Sequence, residues 1–151
     1  MLRDPSLVPY SHQHQHALAL CVRIERAMNS GDAALMPYSA EIQALFEQEI
    51  EFHFEAEERF LFPAAEAHSF LRPLVSELMA EHVTLRSYYL AAVARNMNKS
   101  DLLDFAATLS DHIRKEEREL FEECQRIMSS HELSALGTRS LEFFNQHLNS
   151  D

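Results

Sequence analysis

A chain of 151 residues is the length of one ordinary domain and can bury a substantial core. Its formal net charge of −11 argues against nucleic acid or an anionic membrane as partner, since both need basic patches. Cys21 and Cys124 are too few and too far apart for a disulfide framework or a C-x-x-C centre, and no apolar run approaches a transmembrane length. The opening Met-Leu-Arg-Asp-Pro-Ser has no signal-peptide core, so a soluble cytoplasmic protein is the expectation.

Two Gly and five Pro leave few breakers, and abundant Ala, Leu, Glu and Gln favour long helices. The first predicted helix runs roughly from Ser11 to Asn29 and stops at Ser30-Gly31. It carries three histidines. At about 100° per residue, Leu18, Cys21, Glu25 and Met28 lie within about 40° of His14, which makes His14 the inward candidate. His12 and His16 share a mixed face and read as a wet helix start. Nothing in the sequence accounts for Glu25 pointing where His14 points.

The second helix begins near Pro37 to Ser39 and carries Ile42, Phe46, Ile50, His53, Glu57 and Phe60 on one face, with Pro63 ending or bending it. The third starts near Pro73, with a stripe of Leu78, His82, Leu85, Tyr89 and Val93. The fourth, capped by Ser100 or Asp101, carries Phe105, Leu109, His112, Ile113, Glu116, Leu120 and Ile127. A last helix follows Ser129-Ser130-His131-Glu132, which has the form of a capping box, and ends around Leu148. Such lengths on short turns predict an all-α, antiparallel up-down-up-down four-helix bundle over about 11–128. A short C-terminal fifth helix over about 130–148 completes a single domain, 1–151.

A repeat lies inside this pattern. His53-Phe-Glu-Ala-Glu57-Glu58-Arg59-Phe-Leu61-Phe62 returns 59 residues later as His112-Ile-Arg-Lys-Glu116-Glu117-Arg118-Glu-Leu120-Phe121. Chance placement of nine His and eighteen Glu supplies about one H-x-x-x-E pair, so the shared E-E-R-x-L-F tail carries the weight. Positions i and i+4 share a helix face, so each copy aims one imidazole and one carboxylate the same way. The candidate constellation is His14, His53, Glu57, His82, His112 and Glu116. His14 and His53 fall to one metal, His82 and His112 to a second, and the two Glu bridge. Imidazole and carboxylate without thiolate suit iron, manganese or zinc, with iron the commonest redox choice. Room is left for a bridging oxo or hydroxo group and for a small molecule. Of the neighbours, Glu58 and Glu117 read as surface carboxylates, Arg59 and Arg118 as surface ion pairs, and Tyr89, Cys21 and Cys124 as core. His68, His131 and His147 read as exposed. H-E-x-x-H and E-x-x-H are both absent, which argues against a zinc protease and a ferritin-like oxidase.

These residues resemble the hemerythrin-like, or HHE cation-binding, family from Ser11 to about Cys124. His14 matches its first-helix histidine, His53 and Glu57 its second-helix H-x-x-x-E, His82 its third-helix histidine, and His112 with Glu116 its fourth-helix pair. Leu61-Phe62-Pro63 is similar to the Leu-Phe-Pro that commonly follows the second-helix motif. The resemblance implies a di-iron four-helix bundle that handles O2 or related small oxidants. The oxygen carriers of the family have H-x-x-x-H in the third helix and a longer fourth-helix spacing. Here the third helix reads His82-x-x-x-Arg86, and guanidinium is no ligand, so irreversible reaction with O2 is expected rather than carriage. The pattern is closer to members implicated in sensing or in iron–sulfur repair, although the repair proteins carry an extra N-terminal cysteine segment. Three readings stand: a di-iron protein binding O2, NO or peroxide for sensing, storage or detoxification; a di-iron peroxidase, oxidase or iron-donating repair factor; and a structural bundle with a folding metal, dimeric through the fifth helix.

Overall fold

The computed structural model of the chain describes residues 2–31 and 35–148. Five helices account for most of them: α1 (Val8–Asn29), α2 (36–66), α3 (Arg72–Val93), α4 (99–127) and α5 (Ser130–Leu148). No helix among the described residues is long and apolar enough to cross a membrane. Side-chain partners give the directions. Arg23 pairs with Glu41, His16 with Glu49 and His14 with His53, so α1 and α2 run antiparallel. Tyr89 pairs with Glu47, Arg86 with Glu51 and His82 with Glu58, so α2 and α3 do too. Lys115 reaches Glu77 at the opposite end of α3 from Tyr88, which meets Phe105, and Arg3 and His14 both reach Glu117. The four helices therefore alternate as predicted. The fifth lies against the end of the bundle that holds the chain start.

Helix ends depart from expectation in places. α1 begins a turn earlier than Ser11, because Pro9 suits a first helical turn and Asp4 collects the N–H groups of Ser6, Leu7 and Val8. It stops at Gly31, whose φ of +85° lies where a side chain would be strained. The α4 cap is Asn98 rather than Ser100 or Asp101. Asn98 Oδ1 accepts the Asp101 N–H at 2.8 Å and Asp101 Oδ2 accepts the Asn98 N–H at 3.0 Å, a capping box with Asp101 as its inner member. The predicted box opening α5 is present, Ser129 and Glu132 exchanging bonds of 3.1 Å.

Pro63 neither ends nor sharply breaks α2, which continues to Glu66. The helix is instead widened in π turns at Phe46–Ile50 and Glu57–Leu61, and α4 has one at Glu116–Leu120. They fit the spacing of the buried residues. Buried positions on α2 recur as Ile42, Phe46, Ile50, His53, Glu57, Leu61 and Ala65, mostly steps of four. At 100° per residue each such step drifts about 40° around an α-helix, and a turn holding an extra residue resets the phase. The same drift explains two misplaced residues: Leu61 is buried where Phe60 was expected, and Met128 where Ile127 was, while Cys124 is in the core as expected. On α3 the stripe ends at Ala92, leaving Val93 43% exposed.

Two apolar cores result. One packs Leu20, Ile24, Phe46, Phe54, Phe105 and Leu109; the other packs Leu7, Tyr10, Phe62, Leu78, Phe121 and Leu136. Between them lies a buried layer that is polar.

Candidate metal centre

That layer is built from the six residues of the constellation. His14, His53, His82 and His112 are at most 5% exposed, and Glu57 and Glu116 are fully buried. One ligating atom each of His14, His53, Glu57 and Glu116 falls within a 4.8 Å cluster, and Glu57, His82 and His112 form a second. Glu57 spans the two, with Oε2 3.2 Å from His53 Nε2 and Oε1 3.1 Å from His82 Nε2. Glu116 Oε1 lies 3.3 Å from His14 Nε2 and 3.2 Å from His112 Nε2. Both carboxylates begin π turns, so the widened turns and the candidate ligands coincide in each copy of the repeat.

The far side of each imidazole settles its tautomer. Nδ1–H of His14 donates to Glu117 Oε1 (2.8 Å), that of His53 to Gln13 Oε1 (2.7 Å), that of His82 to Glu58 Oε2 (2.6 Å) and that of His112 to Glu81 Oε1 (2.8 Å). These oxygens are acceptors only, so each neutral ring presents a bare Nε2 lone pair to the layer. His14 Nε2 and His53 Nε2 stand 3.1 Å apart. Two lone pairs at that distance repel unless a cation joins them. Both oxygens of Glu57 and of Glu116, and Nε2 of His82 and His112, are buried without a hydrogen-bond partner among the described residues. Buried polar atoms are ordinarily paired, and six unpaired atoms facing one another fit a cation site.

Charge agrees. Burial disfavours the imidazolium and pushes His14 and His112 below their ordinary values. Burial alone would raise the Glu57 carboxyl, but His53 and His82 reverse this and hold it well below the usual carboxylate range. His82 is the contrast: burial opposes its charge, yet Glu57 and Glu58 on its two nitrogens hold it above its ordinary value. Positive charge is favoured at this point.

The supporting layer is tied in turn. Arg86 donates to Glu58 (2.8 Å) and to Glu51 (2.8 Å); Arg3 donates to Glu117 (2.9 Å), as does Ser11 (3.0 Å). Lys115 holds Glu81 and also reaches Glu77 at 2.6 Å. Glu58 and Glu117 are thus not free surface carboxylates: their side chains are 23% and 27% exposed, and each orients a candidate ligand. Gln13, Glu81, Arg3 and Lys115 were not singled out from sequence. The repeated second Glu of E-E was the one available signal, since it holds a histidine on the neighbouring helix in both copies.

Other expectations fell elsewhere. His16 is exposed and pairs with Glu49, His12 is exposed, and Glu25 is half-buried at the edge of the α1 stripe. Tyr89 stacks on Phe46 and donates to Glu47, away from the layer. His68 is half-buried and bonds Glu132 at 2.7 Å. Cys21 and Cys124 are buried thiols, pushed up by burial to about 11 and about 12. A sequence signal was missed at Tyr10, whose buried ring lies edge-on to His53 and whose O–H donates to Ser140 Oγ at 2.6 Å, tying α5 to the site.

A small cavity reaches the layer from the α1–α2 side. It offers about 20 Å³ to a water-sized molecule, against about 10–15 Å³ needed by one water. Ala17, Leu45, Ile50, Phe54 and Leu109 make it apolar, and His14, His53, His112 and Glu116 form its floor.

Neither the curated proteins nor the solved structures gave a match to the chain. A family model for the hemerythrin HHE cation-binding domain does match, over residues 10–124, a span that opens at Tyr10 beside His53 and closes after the last turn of α4 that faces the layer. With its six converging His and Glu on an antiparallel helical bundle, the chain belongs to the hemerythrin HHE cation-binding family.

Proposed function

We propose that this protein is a non-haem di-iron protein that binds or reacts with O2 or a related small molecule such as NO or peroxide, in sensing, storage or detoxification. The observation that carries the reading is the set of bare, buried Nε2 and carboxylate atoms with no partner but each other. In this reading His14 and His53 hold one iron, His82 and His112 hold the other, and Glu57 and Glu116 belong to both. Iron bound there would supply one-electron redox chemistry. The chain's own part is orientation and exclusion. The Nδ1 bonds lock each ring, Phe54 stacks on His82 with Phe62 tilted beside it, and Phe121 lies over His14, keeping bulk water out. The apolar cavity admits an uncharged diatomic and disfavours an ion.

Arg86 supports reaction over carriage. Its guanidinium is engaged by Glu51 and Glu58 and lies over Phe54, so position 86 contributes no donor to either metal. Protein from iron-supplied cells should contain close to two irons per chain by elemental analysis. Reduced anaerobically, mixed with O2 and then degassed, it should stay oxidised by its visible spectrum. Iron well below two per chain would overturn the di-iron assignment. A spectrum that reverts on degassing would restore oxygen storage as the function.

A further inference from the structure

The two halves of the centre correspond residue by residue. His14 on α1 answers to His82 on α3, and each leans on the second Glu of a repeat, Glu117 and Glu58. His53 on α2 answers to His112 on α4, and each leans on the residue just before the histidine of its partner helix, Gln13 and Glu81. One substitution breaks the correspondence. Residue 81 is a carboxylate and residue 13 is a neutral amide. A carboxylate accepting Nδ1–H raises the basicity of the opposite nitrogen and adds negative charge beside the metal; an amide oxygen offers only a dipole.

The surroundings sharpen the difference. Arg86 holds Glu58 as Arg3 holds Glu117, so the two halves differ at the other support, where Lys115 holds the Glu81 carboxylate and Gln13 is a neutral amide. Gln13 is half-buried and borders the apolar cavity, next to His14 and His53. We propose that the His14/His53 position is the labile one, binding a divalent cation more weakly than the His82/His112 position and exchanging it first. Gln13 is then a positioning residue that sets the inequivalence. This rests on the two-metal reading above.

Co(II), titrated anaerobically into the metal-free full-length chain and followed by its visible bands, tests the idea. The parent should fill in two steps differing in affinity by about tenfold or more, the range that such outer hydrogen bonds command. At one equivalent, anomalous scattering from crystals should place cobalt between His82 and His112. Gln13→Glu should tighten the weaker step about tenfold and bring the two together, whereas Glu81→Gln should weaken the other. Melting of the metal-free variants, measured alongside, separates altered binding from altered folding. Two equal steps in the parent, unmoved by Gln13→Glu, would overturn the proposal, as would first occupancy at His14/His53. Saturation below two Co(II) per chain would overturn the two-metal reading as well, which distinguishes the two failures.

Discussion

At the scale of single residues, burial separates three histidines that sequence presents together. His14 is 4% exposed with both nitrogens committed to the layer and its support. His12 is exposed, and the His16 side chain is 76% exposed with its bond to Glu49. Alanine replacement of each in turn should lower metal content for His14 alone, with at least one metal lost per chain by elemental analysis. Loss for His16→Ala with retention for His14→Ala would mean that the α1 face is misassigned. Arg86 shows the converse lesson. Its place four residues after His82 invites comparison with a ligand, but its contacts make it a clamp on Glu58, one bond removed from His82. Neighbours of this kind steer a ligand without touching a metal.

At the scale of elements, the π turns decide where the carboxylates sit. Phe62 N–H reaches back to Glu57 and Phe121 N–H to Glu116, five residues in each case. An extra residue in one turn keeps Leu120, Cys124 and Met128 inward after a run of four-residue steps from His112. Removing that residue should restore α-helical bonding without rotating the last turns of α4. Deleting exposed Glu119 is therefore expected to leave the melting temperature of the metal-free protein within a few degrees of the parent. Metal content should fall, because Glu116 and Glu117 both stand on the turn that is reshaped. Unfolding of the deletion variant would show that downstream phase depends on the residue after all; full metal content would remove any role for the turn at the site.

At the scale of the whole molecule, the polar layer divides one bundle into two cores. Without cations it sets two buried carboxylates against bare imidazole nitrogens. Metal that binds only the native state stabilises by about 2.7 kcal/mol when free metal stands a hundredfold above its Kd. For a chain of this size that is roughly 5–10 °C in Tm. Chelation should lower the calorimetric melting temperature by that order, and Glu57→Ala and Glu116→Ala should blunt the difference alike. A metal-free protein as stable as the loaded one would count against a buried two-metal site.

The sequence by itself determined the helical class, the antiparallel order and the inward face of each helix, because those follow from apolar spacing and few breakers. It also turned the two H-x-x-x-E pairs inward, since a spacing of four shares one helix side; His14 and His82 were legible from their apolar stripes and from the family resemblance. Helix phase beyond each carboxylate was decided only in the structure: Phe60 and Ile127 gave way to Leu61 and Met128 because backbone bonding, not side-chain pattern, chooses between an α and a π turn. The supporting residues were decided there too. Gln13, Glu81, Arg3 and Lys115 act across helices, at separations of 31 to 114 residues. No local rule reaches that far; such pairs exist only once packing has set the helices side by side.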